Sequence, residues 1–233
     1  MFQFNSINDW IIFGFLFIGI FIILGLAEFI RNKQRWATEK TRLLVHSLIG
    51  VIVSICPFLF KFNYQLISLS LVFIIFNFFT IQSNRFSSRH TTSRKSYGTV
   101  YFPFAILLLS YFWWDKPISF ILTILVLAIA DPIAAIIGAK GEIIYFPWRD
   151  QKSRRGSLAM FGSTFIIILL GTDFLGRIYG ASFFIPFPII IGLSIFTAFS
   201  AALAESISFR GTDNLSVPLI TFLSYEIFLI NYT

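Results

Sequence analysis

Long apolar runs separated by short polar stretches dominate the chain. Eight runs come close to the roughly 17–25 residues a helix needs to cross a bilayer. They cover approximately 10–30, 42–60, 64–81, 98–114, 117–138, 157–173, 186–204 and 215–231. The pattern predicts an all-α integral membrane protein, a polytopic bundle of about eight transmembrane helices. It forms a single membrane-embedded domain over 1–233. A first span and basic loop occupy 1–40, and the last span ends in 220–233. Glu226 interrupts the eighth run.

Composition agrees with that pattern. Only 12% of residues are charged and 57% are apolar, against about 25% charged in an ordinary soluble domain. The single Cys56 excludes a disulfide framework and a multi-cysteine metal site. The N-terminus lacks the basic n-region of a signal peptide, so its apolar run reads as a retained first span.

A net charge of +7 raises the question of nucleic acid, but the distribution answers it. Fifteen of the 18 Lys and Arg fall in one set of alternate loops, while Lys61, Lys116 and Arg177 fall in the other. Such asymmetry is the positive-inside signal, and it predicts both termini outside the cytoplasm. The basic clusters are thereby accounted for by topology and anionic-lipid contact, without nucleic acid. Trp10, Trp113 and Trp114 fall at expected outer span ends, and Trp36 and Trp148 in the basic loops.

Against this background the carboxylates inside spans stand out. In LTILVLAIADPIAAIIGAKGE, Asp131 lies about 10 Å, or two turns, above the inner end of the fifth span. A charge there costs about 2.5–3.5 kcal/mol on insertion scales and must face protein, water or a cation. Pro132 removes a backbone donor and opens a kink. Ala130, Ala134 and Gly138 recur every four residues, a stripe that permits close helix approach. Ser194, Ala198, Ala201 and Glu205 repeat the theme in the seventh span. Two carboxylates brought together repel unless a cation or proton lies between them, and Mg²⁺ shared with phosphate oxygens suits such a pair. Structural pairing with Lys or Arg is the competing reading.

Three further features bear on chemistry. His46 and Arg42 are four residues apart, so they share a helix face; a packing histidine bonded to backbone is the simpler reading. Lys152, Ser153, Arg154, Arg155, Gly156 and Ser157 combine cations, hydroxyls and a glycine at a helix start, the makings of a phosphate cradle. Asp213-Asn214 with Pro218 reads from spacing as an N-cap followed by a first-turn proline. No Walker A loop and no protein-kinase motif set is present.

In order, TRLLVHSLIG (41–50), YGTVYFP (97–103), LAIADPIAAIIG (127–138), KSRRGSLAMF (152–161) and ALAESISFRGTDNLSVPL (202–219) resemble the motifs of the membrane-embedded polyprenol kinase family. That family includes phytol, farnesol and dolichol kinases and the CTP-dependent diacylglycerol kinase; the length suits phytol kinase-like members. The resemblance implies phosphorylation of a lipid alcohol with CTP, or UTP, and a divalent metal. It places the family's Arg and His on Arg42 and His46 and its intramembrane Asp on Asp131. Its Lys-Ser and Gly-Ser fall on Lys152, Ser153, Gly156 and Ser157, its late Glu on Glu205, and its D-N-x-x-V-P element on Asp213, Asn214, Val217 and Pro218. Leu43 stands where the family usually has Lys, and Arg155 where many members have Glu.

The expected activity is transfer of a γ-phosphate, from CTP by the resemblance, to an isoprenoid alcohol such as phytol, geranylgeraniol or farnesol, at a site facing the cytoplasm. Asp131, His46 and Arg42 are the candidate catalytic residues. Lys152, Ser153, Arg155, Gly156, Ser157 and Asn214 would hold nucleotide phosphates, and Asp131, Glu205 and Asp213 would bind Mg²⁺. Whether Asp131 is base or metal ligand stays open, with His46 the second candidate base. Three rivals remain. A transporter or flippase could use the carboxylates as an ion relay. A scaffold would merely pair them. A CDP-diacylglycerol synthase-like cytidylyltransferase would show H-G-G-x-x-D-R, which is absent.

Overall fold

The structure, a computed structural model, describes residues 8–82, 97–145, 151–180, 183 and 185–232. Arg85, Arg89, Arg94, Lys95, Trp148 and Arg149, used above for topology and belts, lie outside the described residues. The helices are α1 (Asp9–Gln34), α2 (Thr38–Ser54), α3 (Cys56–Leu59), α4 (Tyr64–Gln82) and α5 (Gly98–Phe112). They are followed by α6 (Pro117–Leu125), a π-turn (Val126–Ala130), α7 (Asp131–Gly138), α8 (Arg154–Tyr179), α9 (Phe187–Ile207) and α10 (Asp213–Tyr232).

Seven of the expected spans appear as helices long and apolar enough to cross a membrane: Asp9–Gln34, Glu39–Leu59, Tyr64–Ile81, Pro117–Gly138, Arg154–Tyr179, Phe187–Ile207 and Asp213–Tyr232. The chain is an all-α integral membrane protein. The fourth run, not the eighth, is the short one: Gly98–Phe112 has 15 residues, about 22 Å at 1.5 Å per residue against a core of about 30 Å. In the eighth, Glu226 is satisfied by the Ser119 hydroxyl and by Lys116 Nζ at 3.3 Å, so it does not break the helix. The second span bends where α2 gives way to α3 at Pro57, which has no N–H to continue the ladder.

The fifth span is central. It is 61% buried, against 11% for the first span. One apolar cluster joins it, through Leu122, Val126, Ala130 and Ala134, to Met160 and Ile168 of α8, Leu193 and Ala201 of α9 and Val217 of α10. A second cluster joins its other side, through Phe120 and Ile124, to Ile20, Val53, Leu66 and Leu109 of α1, α2, α4 and α5. Gly171 makes part of this contact possible, since a Cβ there would meet Leu122 at 2.2 Å. Outward-facing Phe15, Leu158 and Ile230 stay exposed, as a lipid-facing surface requires.

A feature not expected from the pattern is a two-stranded antiparallel ribbon, β1 (Ile143–Tyr145) and β2 (Gln151–Ser153), pairing Ile144 with Lys152. It links the end of α7 to the start of α8.

Candidate active site

Five elements bring charged groups to one end of the bundle. Lys152 comes from β2, Glu205 from the last turn of α9, Asp213 from the start of α10, Asp131 from the start of α7 and Arg42 from α2. The opposite end holds Asp9, whose carboxylate accepts from Lys61 N at 3.1 Å, and the Lys116–Glu226 pair.

Glycines set the approach of the ribbon to α7. A Cβ on Gly138 would lie 3.2 Å from Gly156 Cα, and one on Gly141 would lie 2.8 Å from Ser153 Oγ. With those side chains absent, Ser153 Oγ donates to the Gly138 carbonyl at 2.9 Å and accepts from Gly156 N at 3.1 Å. Ser153 is therefore the N-cap of α8, and both its bonds are structural. Lys152, one residue earlier, is aimed into the bundle end.

Its ammonium lies 2.5 Å from Glu205 Oε1 and 3.5 Å from Asp213 Oδ2. Ser157 Oγ donates to the other Glu205 oxygen at 3.5 Å. Burial by itself would push the Lys152 pKa down, but Asp213 and Glu205 outweigh it and hold the group above the ordinary lysine range. Asp131 faces the same group: Asp213, Lys152, Glu205 and Arg42 all act on its charge. Arg42 Nη2 also pairs with Glu39 at 2.5 Å on the exposed side of α2.

A tight turn delivers Glu205 and Asp213 to the same ammonium. Arg210 (φ 51°) and Gly211 (φ 86°) adopt left-handed backbone, and Thr212 Oγ1 accepts from Phe209 N at 3.0 Å. Asp213 Oδ1 accepts from Asn214 N at 3.0 Å, leaving Oδ2 toward Lys152. Asn214 is buried; its Nδ2 donates to Gly211 O at 3.5 Å while its Oδ1 has no partner. Buried amide oxygens rarely go unpaired.

The cluster therefore gathers Asp131, Glu205, Asp213, Lys152, Ser157 and Arg42. Gly156 lies at the helix crossing. Arg155 is exposed and donates from Nη1 to the Lys140 carbonyl at 3.2 Å, so its contact is with the ribbon turn. His46 Nε2 lies 2.9 Å from the Leu127 carbonyl, and its ring packs on Phe102 at 4.4 Å. Sequence reasoning missed the ribbon, the π-turn before Asp131 and the close approach of Gly50 to Ala128. The β-branched pair Ile143-Ile144 beside Tyr145 was the one signal for the ribbon.

Mg²⁺ is the metal the resemblance implies. The donor chemistry suits it: the Asp131, Glu205 and Asp213 carboxylates and the unpartnered Asn214 oxygen are hard oxygen ligands. Among the described residues, however, no three His, Cys, Asp or Glu groups are drawn close enough to hold an ion by themselves. The ammonium of Lys152 lies against two of the carboxylates instead.

Two curated relatives match rather more than half of the chain. Phytol kinase of Synechocystis sp. is 33% identical over 135 residues, covering 57% of this chain and 54% of that protein. Over that stretch the chain is similar to phytol kinase. Probable chloroplastic phytol kinase of Triticum aestivum is 30% identical over 132 residues, covering 54% of this chain and 42% of that one. The chain thus spans about half the length of the curated relatives it matches. No family model and no solved structure matches it. The polyprenol kinase resemblance drawn from the motifs is borne out by these relatives.

Proposed function

We propose that the protein is a lipid-alcohol kinase that transfers the γ-phosphate of a nucleoside triphosphate to an isoprenoid alcohol, with CTP as donor on the strength of the family resemblance. The observation that carries the reading is the convergence of Asp131, Glu205, Asp213 and Lys152, from four separate elements, at one end of a membrane bundle. Phosphoryl transfer asks a protein mainly for positioning and charge neutralisation, and this arrangement offers both. The excess of Lys and Arg in the loops at that end supports a cytoplasmic face, where nucleotide is found.

Lys152 is the cation positioned to meet phosphate oxygens, and its raised pKa keeps it protonated throughout the physiological range. Arg42 adds a second positive charge from α2. Asp131, Glu205, Asp213 and the Asn214 oxygen would hold a Mg²⁺ that arrives with the triphosphate. Such an ion supplies neutralisation of the negative charge on the phosphates. Glu205 and Asp213 give up Lys152 as phosphate draws the ammonium away, so their negative charge becomes available as the nucleotide binds. Asp131, at the start of α7, reaches deepest from that end and is the group an alcohol head would meet first. It serves either to accept the hydroxyl proton or to hold the metal.

The test incubates purified protein in nanodiscs with CTP, UTP, ATP or GTP, Mg²⁺, and phytol, geranylgeraniol, farnesol, a longer polyprenol or diacylglycerol. Lipid monophosphate is expected, with CTP the preferred donor. Failure of every pair to yield lipid phosphate, in protein that remains folded, would overturn the assignment.

A further inference from the structure

The π-turn ahead of Asp131 leaves the Leu127 carbonyl without a helical partner. In an α-helix the Leu127 carbonyl would accept from Asp131 N–H, four residues on. Here Asp131 N–H donates to Val126, five residues back. The π register would instead offer Leu127 the N–H of residue 132, and Pro132 has none. A carbonyl orphaned in the apolar interior of a span must find another donor or pay its full desolvation cost. The donor it finds is His46 Nε2, at 2.9 Å. A carbonyl can only accept, so Nε2 carries the proton.

The surroundings are built for that bond. Gly50 lies one turn from His46 on the same face of α2, and a Cβ there would fall 2.5 Å from Ala128 Cβ and 3.2 Å from its Cα. Its missing side chain lets α2 close on the π-turn. Phe102 of α5 covers both positions: its ring packs on His46 at 4.4 Å and lies 3.7 Å from where the Gly50 Cβ would be. Leu127 is about 6 Å farther from the charged end than Asp131, at 1.5 Å per residue. The imidazole thus engages the backbone that carries Asp131.

We propose that His46 is a positioning residue: its Nε2–H closes the Leu127 carbonyl left open by the π-turn and Pro132, and so fixes the backbone from which Asp131 projects. Within the kinase reading, on which the catalytic half of this proposal rests, His46 acts through Asp131 and takes no proton from the alcohol. π-Turns inside α-helices recur at functional sites, and an external donor lets this one persist in lipid.

Glutamine supplies an N–H donor near the place of Nε2 but cannot serve as a base; phenylalanine supplies neither. His46→Gln is expected to keep lipid phosphorylation within about five-fold of the parent, a change worth about 1 kcal/mol. His46→Phe is expected to lose about 100-fold, the size of effect a misplaced catalytic group produces. Equal loss in both variants would make His46 the base and overturn the proposal, as would full activity in His46→Phe. A second readout needs no activity. With His90→Gln removing the other histidine, ¹⁵N-histidine NMR of the protein in nanodiscs should show a protonated Nε2 and a bare Nδ1. Exchange-averaged nitrogens, or the opposite tautomer, would refute the bond. Were the parent protein to phosphorylate no alcohol, the kinase reading would fail while the NMR result still decided whether His46 holds the π-turn.

Discussion

Replacing Lys152 with Met tests whether the ammonium is what allows the carboxylates to share one site. The side chain is 15% exposed, Glu205 is 9% and Asp213 is 23%. Removing one member of a buried ion pair costs about 3–5 kcal/mol, because the remaining charge is stranded. Partial solvent access at these positions lowers the expectation to about 2–3 kcal/mol. Lys152→Met should therefore lower the thermal unfolding midpoint in detergent clearly. Adding Glu205→Gln removes the nearer and more buried of the two stranded charges, so the double variant should recover part of that loss. Activity should not recover with stability: losing one preorganised group that stabilises transferring charge costs about 10²–10³ in rate, and the double variant still lacks the cation. Mg²⁺ gives an independent reading, since carboxylates relieved of their ammonium should bind it and the ion should stabilise Lys152→Met more than the parent. The reasoning fails if Lys152→Met unfolds with the parent, or if the double variant is no more stable than the single one.

Other expectations follow from neighbouring contacts. Asp131→Asn should keep the fold yet lose lipid phosphorylation by several orders of magnitude; retention of most activity would remove Asp131 from the chemistry. Ser153→Ala removes the α8 cap, with both bonds of its hydroxyl, and should cost about 1 kcal/mol in thermal stability and raise the nucleotide KM, whereas Ser153→Thr keeps the cap. Gly138→Ala pushes a methyl within 3.2 Å of the Gly156 backbone, so α7 and α8 must separate; overpacking of this kind costs about 1–3 kcal/mol, read as a lower unfolding midpoint, while Gly162→Ala, where nothing lies within 4 Å, should be neutral. Raised in the folded state, the Lys152 pKa implies that its stabilising contribution is complete below the ordinary lysine value of about 10.4 and lost only as pH climbs through the higher folded value. Unfolding midpoints of parent and Lys152→Met should therefore keep a constant gap between neutral pH and about 9.

The spans were legible because burial in lipid leaves a long unbroken signal: hydropathy alone placed the described spans within a few residues of their helices, except that α8 runs on to Tyr179, six residues past the expected end. Asp131 and Glu205 were legible for the complementary reason, that charge within a small-residue stripe demands a partner. What they pair with was not. Lys152 reaches Glu205 across 53 residues, and that contact depends on a ribbon of six residues whose strand pattern is too short to register as a period. Hydropathy also cannot distinguish α from π winding. The sequence LAIADP is equally apolar in either register, and only the identity of the partner on Leu127, a histidine 81 residues away, reveals which hydrogen bonds Pro132 has displaced. Nearness along the chain does not fix direction either: three residues after Lys152, the Arg155 side chain donates to the Lys140 carbonyl at the ribbon turn.

Depth in the bundle separates the kinase reading from transport. A carrier places its ionisable groups near the bilayer midplane, where access alternates between the two faces. Here Glu205 lies in the last turn of α9, Asp213 opens α10 and Lys152 precedes α8, so three of the four groups sit at the very end of the spans that carry them. Only Asp131 is deeper, by about 10 Å over the seven residues to Gly138. Under the kinase reading, a site graded in this way would offer a polar mouth to a water-borne triphosphate and a single carboxylate at the depth of a lipid alcohol's hydroxyl. Two further charged pairs, Lys116 with Glu226 and Arg177 with Asp173, lie toward the opposite end. Between the two ends Ile168, Leu193, Ala201 and Val217 pack α8, α9 and α10 together. That division suits an enzyme whose two substrates meet at one face of the membrane, the reaction being completed without either crossing it.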